Sequence, residues 1–123
     1  MTEYDGKAAR ADDTGRALAS DCAYLVTGPM PRARWWSLSA VGSGGEAESD
    51  AAPRHGIVSR QIVYDADQVF RVALSPETEA GNWIRPPETG ELVLLLRLYS
   101  PDRALRRNAL AADLPSIERQ VCR

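Results

Sequence analysis

The sequence predicts an all-β chain, a two-sheet antiparallel β-sandwich with a short helical turn near the C-terminus. Three observations lead there. Residues 68–74 (QVFRVAL) alternate strictly, with Val69, Arg71 and Ala73 on one face and Phe70, Val72 and Leu74 on the other. Short apolar runs of this kind recur along the chain, separated by stretches rich in Gly, Pro, Asp and Ser, the spacing of a sandwich or barrel. The length of 123 residues with 44% hydrophobic content suits one domain, 1–123, closing over one core.

The elements follow in order. Residues 1–20 are polar and read as an edge hairpin or weakly ordered arm, with a strand over 4–11 and a turn at Asp12-Asp13-Thr14-Gly15. Residues 22–27 (CAYLVT) form a β-type run, interrupted by Gly28-Pro29-Met30-Pro31. Residues 34–40 make the next strand, with Trp36, Leu38 and Ala40 on one face and Trp35, Ser37 and Ser39 on the other. Residues 42–55 hold almost nothing large and apolar and read as a loop. Ile57-Val58 is a short strand, and 61–64 with 68–74 reads as a hairpin about Asp65-Ala66-Asp67. Asn82-Trp83-Ile84 runs into Arg85-Pro86-Pro87, which excludes a central strand because proline donates no ladder bond. Residues 91–99 (ELVLLLRLY) are the strongest strand, and the unbroken apolar stretch implies a central position or burial on both faces. In the tail, 101–123, residues 102–112 are suited to a helical turn or two and 116–123 form an extended end packing on the sandwich.

Composition excludes several classes of function. A net charge of -2 gives no reason to expect nucleic acid or an anionic membrane as partner. No run approaches the roughly 20 apolar residues that span a bilayer. The first 25 residues lack an apolar signal-peptide region, so the chain as given reads as cytoplasmic if complete, and as periplasmic or cell-envelope if an export segment is missing. One histidine and two cysteines fall short of a zinc set, and no cofactor is expected.

Four motifs carry a family resemblance. Arg34-Trp35-Trp36-Ser37-Leu38 follows a Gly-Pro-x-Pro turn; then come Gly81-Asn82-Trp83-Ile84-Arg85-Pro86, Leu95-Leu96-Arg97-Leu98-Tyr99-Ser100-Pro101 and a closing Leu114-Pro115-x-Ile117-x-Arg119. In this order and spacing the chain resembles the bacterial family called domain of unknown function 1214, over most of residues 15–123. It departs from the family pattern at Ile84-Arg85, where Leu-Pro is usual. The resemblance implies a jelly-roll-like sandwich, a place in the cell envelope, and no established activity. Small members resemble this chain in carrying cysteines at matching places, which implies a disulfide between Cys22 and Cys122; two unlinked thiols in a reducing compartment is the alternative.

The residues offered for ligand binding are Trp35, Trp83, Arg34, Arg85, Arg97 and His55, with no catalytic and no metal residue assigned. Tryptophans can stack on a sugar ring, or simply brace the sandwich. Arg97 interrupts an apolar strand, so it faces solvent or pairs with a buried carboxylate, Asp21, Glu91 and Glu118 being candidates. His55 is the lone histidine, and without a Gly-x-Ser-x-Gly elbow it reads as a surface loop residue rather than a general base. The leading reading is a non-catalytic envelope module with a binding or structural role, engaging an unknown ligand or envelope protein; open sheet edges also allow a homodimer. The alternative is an enzyme, or a fragment of one, acting on a small molecule or saccharide, by analogy with other jelly rolls.

Overall fold

The computed structural model describes residues 4–29, 35–42, 55–88, 90–99 and 115–123. Among them run eight strands: β1 (Tyr4–Ala9), β2 (Cys22–Pro29), β3 (Trp35–Gly42), β4 (Gly56–Val58), β5 (Val69–Leu74), β6 (Trp83–Ile84), β7 (Leu92–Tyr99) and β8 (Ser116–Cys122). They form two four-stranded sheets, ordered β1-β7-β3-β4 and β6-β5-β2-β8. Every strand pairing is antiparallel except β5 with β6, which is parallel.

The alternation of the sequence sets the core. β3 turns Trp36, Leu38 and Ala40 inward and β7 turns Leu92, Leu94, Leu96 and Leu98 inward. The opposing sheet answers with Tyr24 and Val26 from β2, Phe70, Val72 and Leu74 from β5, Ile84 from β6 and Ile117 from β8. Trp36 meets Phe70 across the two sheets with ring centroids 5.2 Å apart and planes tilted by 41°. Such a pair adds about 0.5–1.5 kcal/mol beyond the area it buries. The unbroken apolar run of β7 has the expected cause: the strand lies between β1 and β3, and Val93 and Arg97 on its other face are buried as well.

Two local expectations are revised. Gly28 and Pro29 do not interrupt β2; they are its last two residues, paired with Phe70 and Val69. Proline is tolerated there because it stands at the strand end. The 61–64/68–74 hairpin is reduced to a single bridge, Tyr64 with Phe70, because Ser59–Gln61 winds into a 3-10 turn. Its tip is a true turn in which Asp65 Oδ1 accepts from the Val69 N–H at 3.2 Å and Gln68 adopts a left-handed φ of 62°. The expected helical turn at 102–112 lies outside the described residues.

The two edges of the sandwich are bridged. At one, β4 ends the first sheet and β6 ends the second, and His55 reaches from the start of β4 to the carbonyl of Arg85, just after β6. At the other, the loop after β1 crosses to β8. There the Asp13 N–H donates to the Ile117 carbonyl at 2.9 Å, and the Ile117 N–H donates to Asp13 Oδ1 at 3.0 Å.

Candidate functional site

The structure separates the sequence-derived candidates into two groups. Trp83, Arg85 and His55 come together at the β4/β6 edge. Trp83 sits on β6, half-buried, and its indole N–H donates to the Ser75 carbonyl at 3.0 Å. The Arg85 guanidinium lies over the Trp83 ring, 5.1 Å from its centroid. His55 Nδ1 is 2.9 Å from the Arg85 carbonyl oxygen, so this nitrogen carries the proton and donates it. Asn82 fixes the approach to β6: its amide takes up the Val63 N–H at 2.9 Å and donates to the Val63 and Arg71 carbonyls at 2.8 and 3.0 Å. Beside this edge opens a cleft of about 270 Å³ lined by Ser20, Asp21, Arg85, Pro86, Glu88 and Arg123 among others. Two guanidinium groups and two carboxylates make its walls mixed in charge. That suits a small polar or zwitterionic group rather than a multiply charged ion.

Trp35 and Arg97 belong elsewhere, on the outer face of the first sheet. Arg97 stands between Ser37 and Gly6 in register, is 2% exposed, and therefore does not face solvent. Asp21 precedes β2 and Glu118 lies in β8, both parts of the other sheet, while Glu91 stands just before the start of β7. Ser37 and Ser39 share the Arg97 face, and their buried hydroxyls have no hydrogen-bond partner. Arg34 lies outside the described residues.

The most densely bonded polar centre surrounds the expected Cys22–Cys122 disulfide, and its arginine, Arg119, was not among the sequence-derived site residues. Cys22 on β2 and Cys122 on β8 are directly opposed in register and joined by a disulfide. Arg119 lies over it, with Nη1 3.1 Å from Cys22 Sγ and 3.2 Å from Cys122 Sγ. Its other nitrogens are anchored: Nε donates to Asp12 Oδ2 at 2.7 Å and Nη2 to the Ala17 carbonyl at 3.0 Å. The guanidinium also stacks 5.4 Å from the centre of the Tyr24 ring. Asp12 is held as an Asx turn, its Oδ1 accepting from the Thr14 hydroxyl at 2.6 Å and from the Thr14 and Arg16 N–H groups at 2.8 and 3.2 Å. The Thr14 hydroxyl, then the Arg119 guanidinium, hold the Asp12 carboxyl well below the ordinary carboxylate range. Asp12 raises the already high pKa of Arg119 in return, so the cation persists. The available signal was the closing Leu114-Pro115-x-Ile117-x-Arg119 motif, which ends on this arginine.

A family model described as a protein of unknown function, DUF1214, matches residues 6–103. The chain belongs to the DUF1214 family. A comparison with curated proteins gives no match. Among crystal structures, this DUF1214 chain is similar to the VPA0106 protein of Vibrio parahaemolyticus, with a TM-score of 0.76 and 20% identity over 97% of the chain. It is also similar to an uncharacterised protein of Burkholderia cenocepacia, with a TM-score of 0.67 and 24% identity over 98% of the chain. At these identities the likeness establishes the fold. The chain spans 31% and 30% of the two relatives' lengths, about a third of each.

Among the described residues no group of three or more His, Cys, Asp or Glu side chains could hold a metal ion. Nor is any helix among them long and apolar enough to cross a membrane.

Proposed function

We propose that this DUF1214 chain is a non-catalytic module of the bacterial cell envelope, which binds a partner or supports a neighbouring domain through its surface. The observation that carries the reading is the Cys22–Cys122 disulfide, which joins β2 to the last strand across 100 residues. Bonds of this kind persist in oxidising compartments and are rare where thiols are kept reduced. Two further features support the non-catalytic half. Among the described residues the sheets meet over a packed interior of Trp36, Phe70 and leucines. The single histidine is committed through Nδ1 to a backbone carbonyl that ties the two sheet edges, which is the work of a brace.

The surface best suited to contact is the Trp83–Arg85–His55 edge with its adjoining cleft. A ring capped by a guanidinium offers a flat, amphipathic platform beside charges of both signs. Jelly-roll connectivity and envelope location belong to this reading.

Fractionating native cells in the presence of a thiol-alkylating agent, without reductant, tests it. The expected result is recovery of the chain in the envelope or periplasmic fraction with both cysteines blocked from alkylation. Recovery in the cytosol with two alkylated thiols would overturn it.

A further inference from the structure

The sulfurs of the disulfide differ in their surroundings. Cys22 is 2% exposed, whereas Cys122 is exposed on an edge strand. A fixed cation touches both sulfurs, held in place by Asp12, the Ala17 carbonyl and the Tyr24 ring. A neutral disulfide gains little from a guanidinium at 3.1 Å, but a thiolate gains a charge-assisted contact. The other charged group at the buried sulfur is Asp21, whose Oδ1 lies 3.7 Å from Cys22 Sγ and is placed to accept a thiol proton. Arg119 is the closer of the two and favours the thiolate. Beyond the disulfide the Arg123 N–H donates to the Asp21 carbonyl at 3.0 Å, so the backbone keeps the two cysteines opposed once the bond opens.

We propose that Cys22–Cys122 is a thiol–disulfide exchange site for an external dithiol, attacked at Cys122 and opening onto a Cys22 thiolate that Arg119 stabilises. A thiolate of the dithiol attacks Cys122 Sγ. The new sulfur–sulfur bond forms as the Cys22–Cys122 bond breaks, and its electron pair leaves on Cys22 Sγ. The second thiol of the dithiol, once deprotonated, attacks its own partner sulfur in the mixed disulfide and expels Cys122 as thiolate. In sum the chain's disulfide takes up two electrons and two protons to become two thiols, and the dithiol loses the same to become a disulfide. The site fits a dithiol oxidoreductase as partner, because attack is open on one side only and the leaving group is already matched by a cation.

Two measurements on the full chain test this, and neither depends on where the cell keeps the protein. In the first, oxidised protein is exposed briefly to glutathione, quenched with iodoacetamide, and its adducts mapped by peptide mass spectrometry. Glutathione on Cys122 with alkylated Cys22 is expected; the reverse pattern, or an even split, overturns the proposal. In the second, the rate of reduction by dithiothreitol is compared among wild type, R119K and R119M. R119M is expected to react about tenfold more slowly, the loss of one charge-assisted contact to the leaving sulfur, with R119K close to wild type. Equal or faster reduction of R119M overturns the role of Arg119. Should R119M not fold, the pH profile of alkylation of the reduced wild type serves instead. A Cys22 midpoint below the ordinary thiol value of about 8.5 supports the proposal, and one at or above it overturns it.

Discussion

A Cβ built on Gly28 would lie 3.0 Å from the Phe70 ring and 3.1 Å from Pro115, so any side chain there requires one of these neighbours to give way. Gly28→Ala is expected to cost about 1–3 kcal/mol in urea unfolding, because Phe70 is itself fixed against Trp36. Asp12 makes a second prediction. Its carboxyl is lowered in the fold, so its contribution to stability is present above the unfolded value, near pH 4, and is lost as pH falls through the lower folded value. Thermal melts between pH 2 and 7 should show an acid-side loss of stability that Asp12→Asn largely removes; identical acid slopes would refute the assignment. At this scale the sequence was only partly legible. Asp12 was readable as a turn residue, since Asp-Asp-Thr-Gly is local chemistry. Its bond to Arg119 spans 107 positions, and no local pattern encodes such a contact.

Strands were the most legible level, because period-two alternation is itself the physical signal. The faces of β3 and β5 follow directly from it, as does burial of β7 on both sides. Pairing was less legible. The parallel seating of β6 against β5 is only two residues long and is supported by side chains that bond across it, the Asn82 amide to the Arg71 carbonyl in β5 and the Trp83 indole to the Ser75 carbonyl just after it. Arg85-Pro86-Pro87 excluded a central strand, and none forms there, but nothing in the sequence named the neighbour that Trp83 and Ile84 would meet. The β2–β8 seam was foreshadowed by two cysteines, though their direct opposition in register was not. Replacing both cysteines by serine should lower stability by about 2–5 kcal/mol while leaving the spectroscopic signature of the sheets intact, since the loss falls mainly on the entropy of the unfolded chain. Denaturant melts of the C22S/C122S chain against oxidised wild type measure this. An unchanged midpoint would mean that the seam is held by its backbone ladder alone.

For the molecule as a whole, the account rests on two sheets sharing one closed interior, bridged at one edge by His55 and at the other by Asp12, Asp13 and Arg119. On the proposed reading recognition falls to the surface, where three sequence candidates, Trp83, Arg85 and His55, lie together. Trp35 and Arg97 were grouped with them by residue type, and the strand register places those two on the outer face of the first sheet instead. Residue chemistry identified the candidates, while their distribution between two faces depended on which strands became neighbours.

Native-state hydrogen exchange followed by NMR tests the shared interior most directly. The slowest amides should lie in β2 and β5 of one sheet and in β3 and β7 of the other, all exchanging through one opening of common free energy. Exchange of either sheet through a separate, lower-energy opening, while the other stays protected, would contradict it.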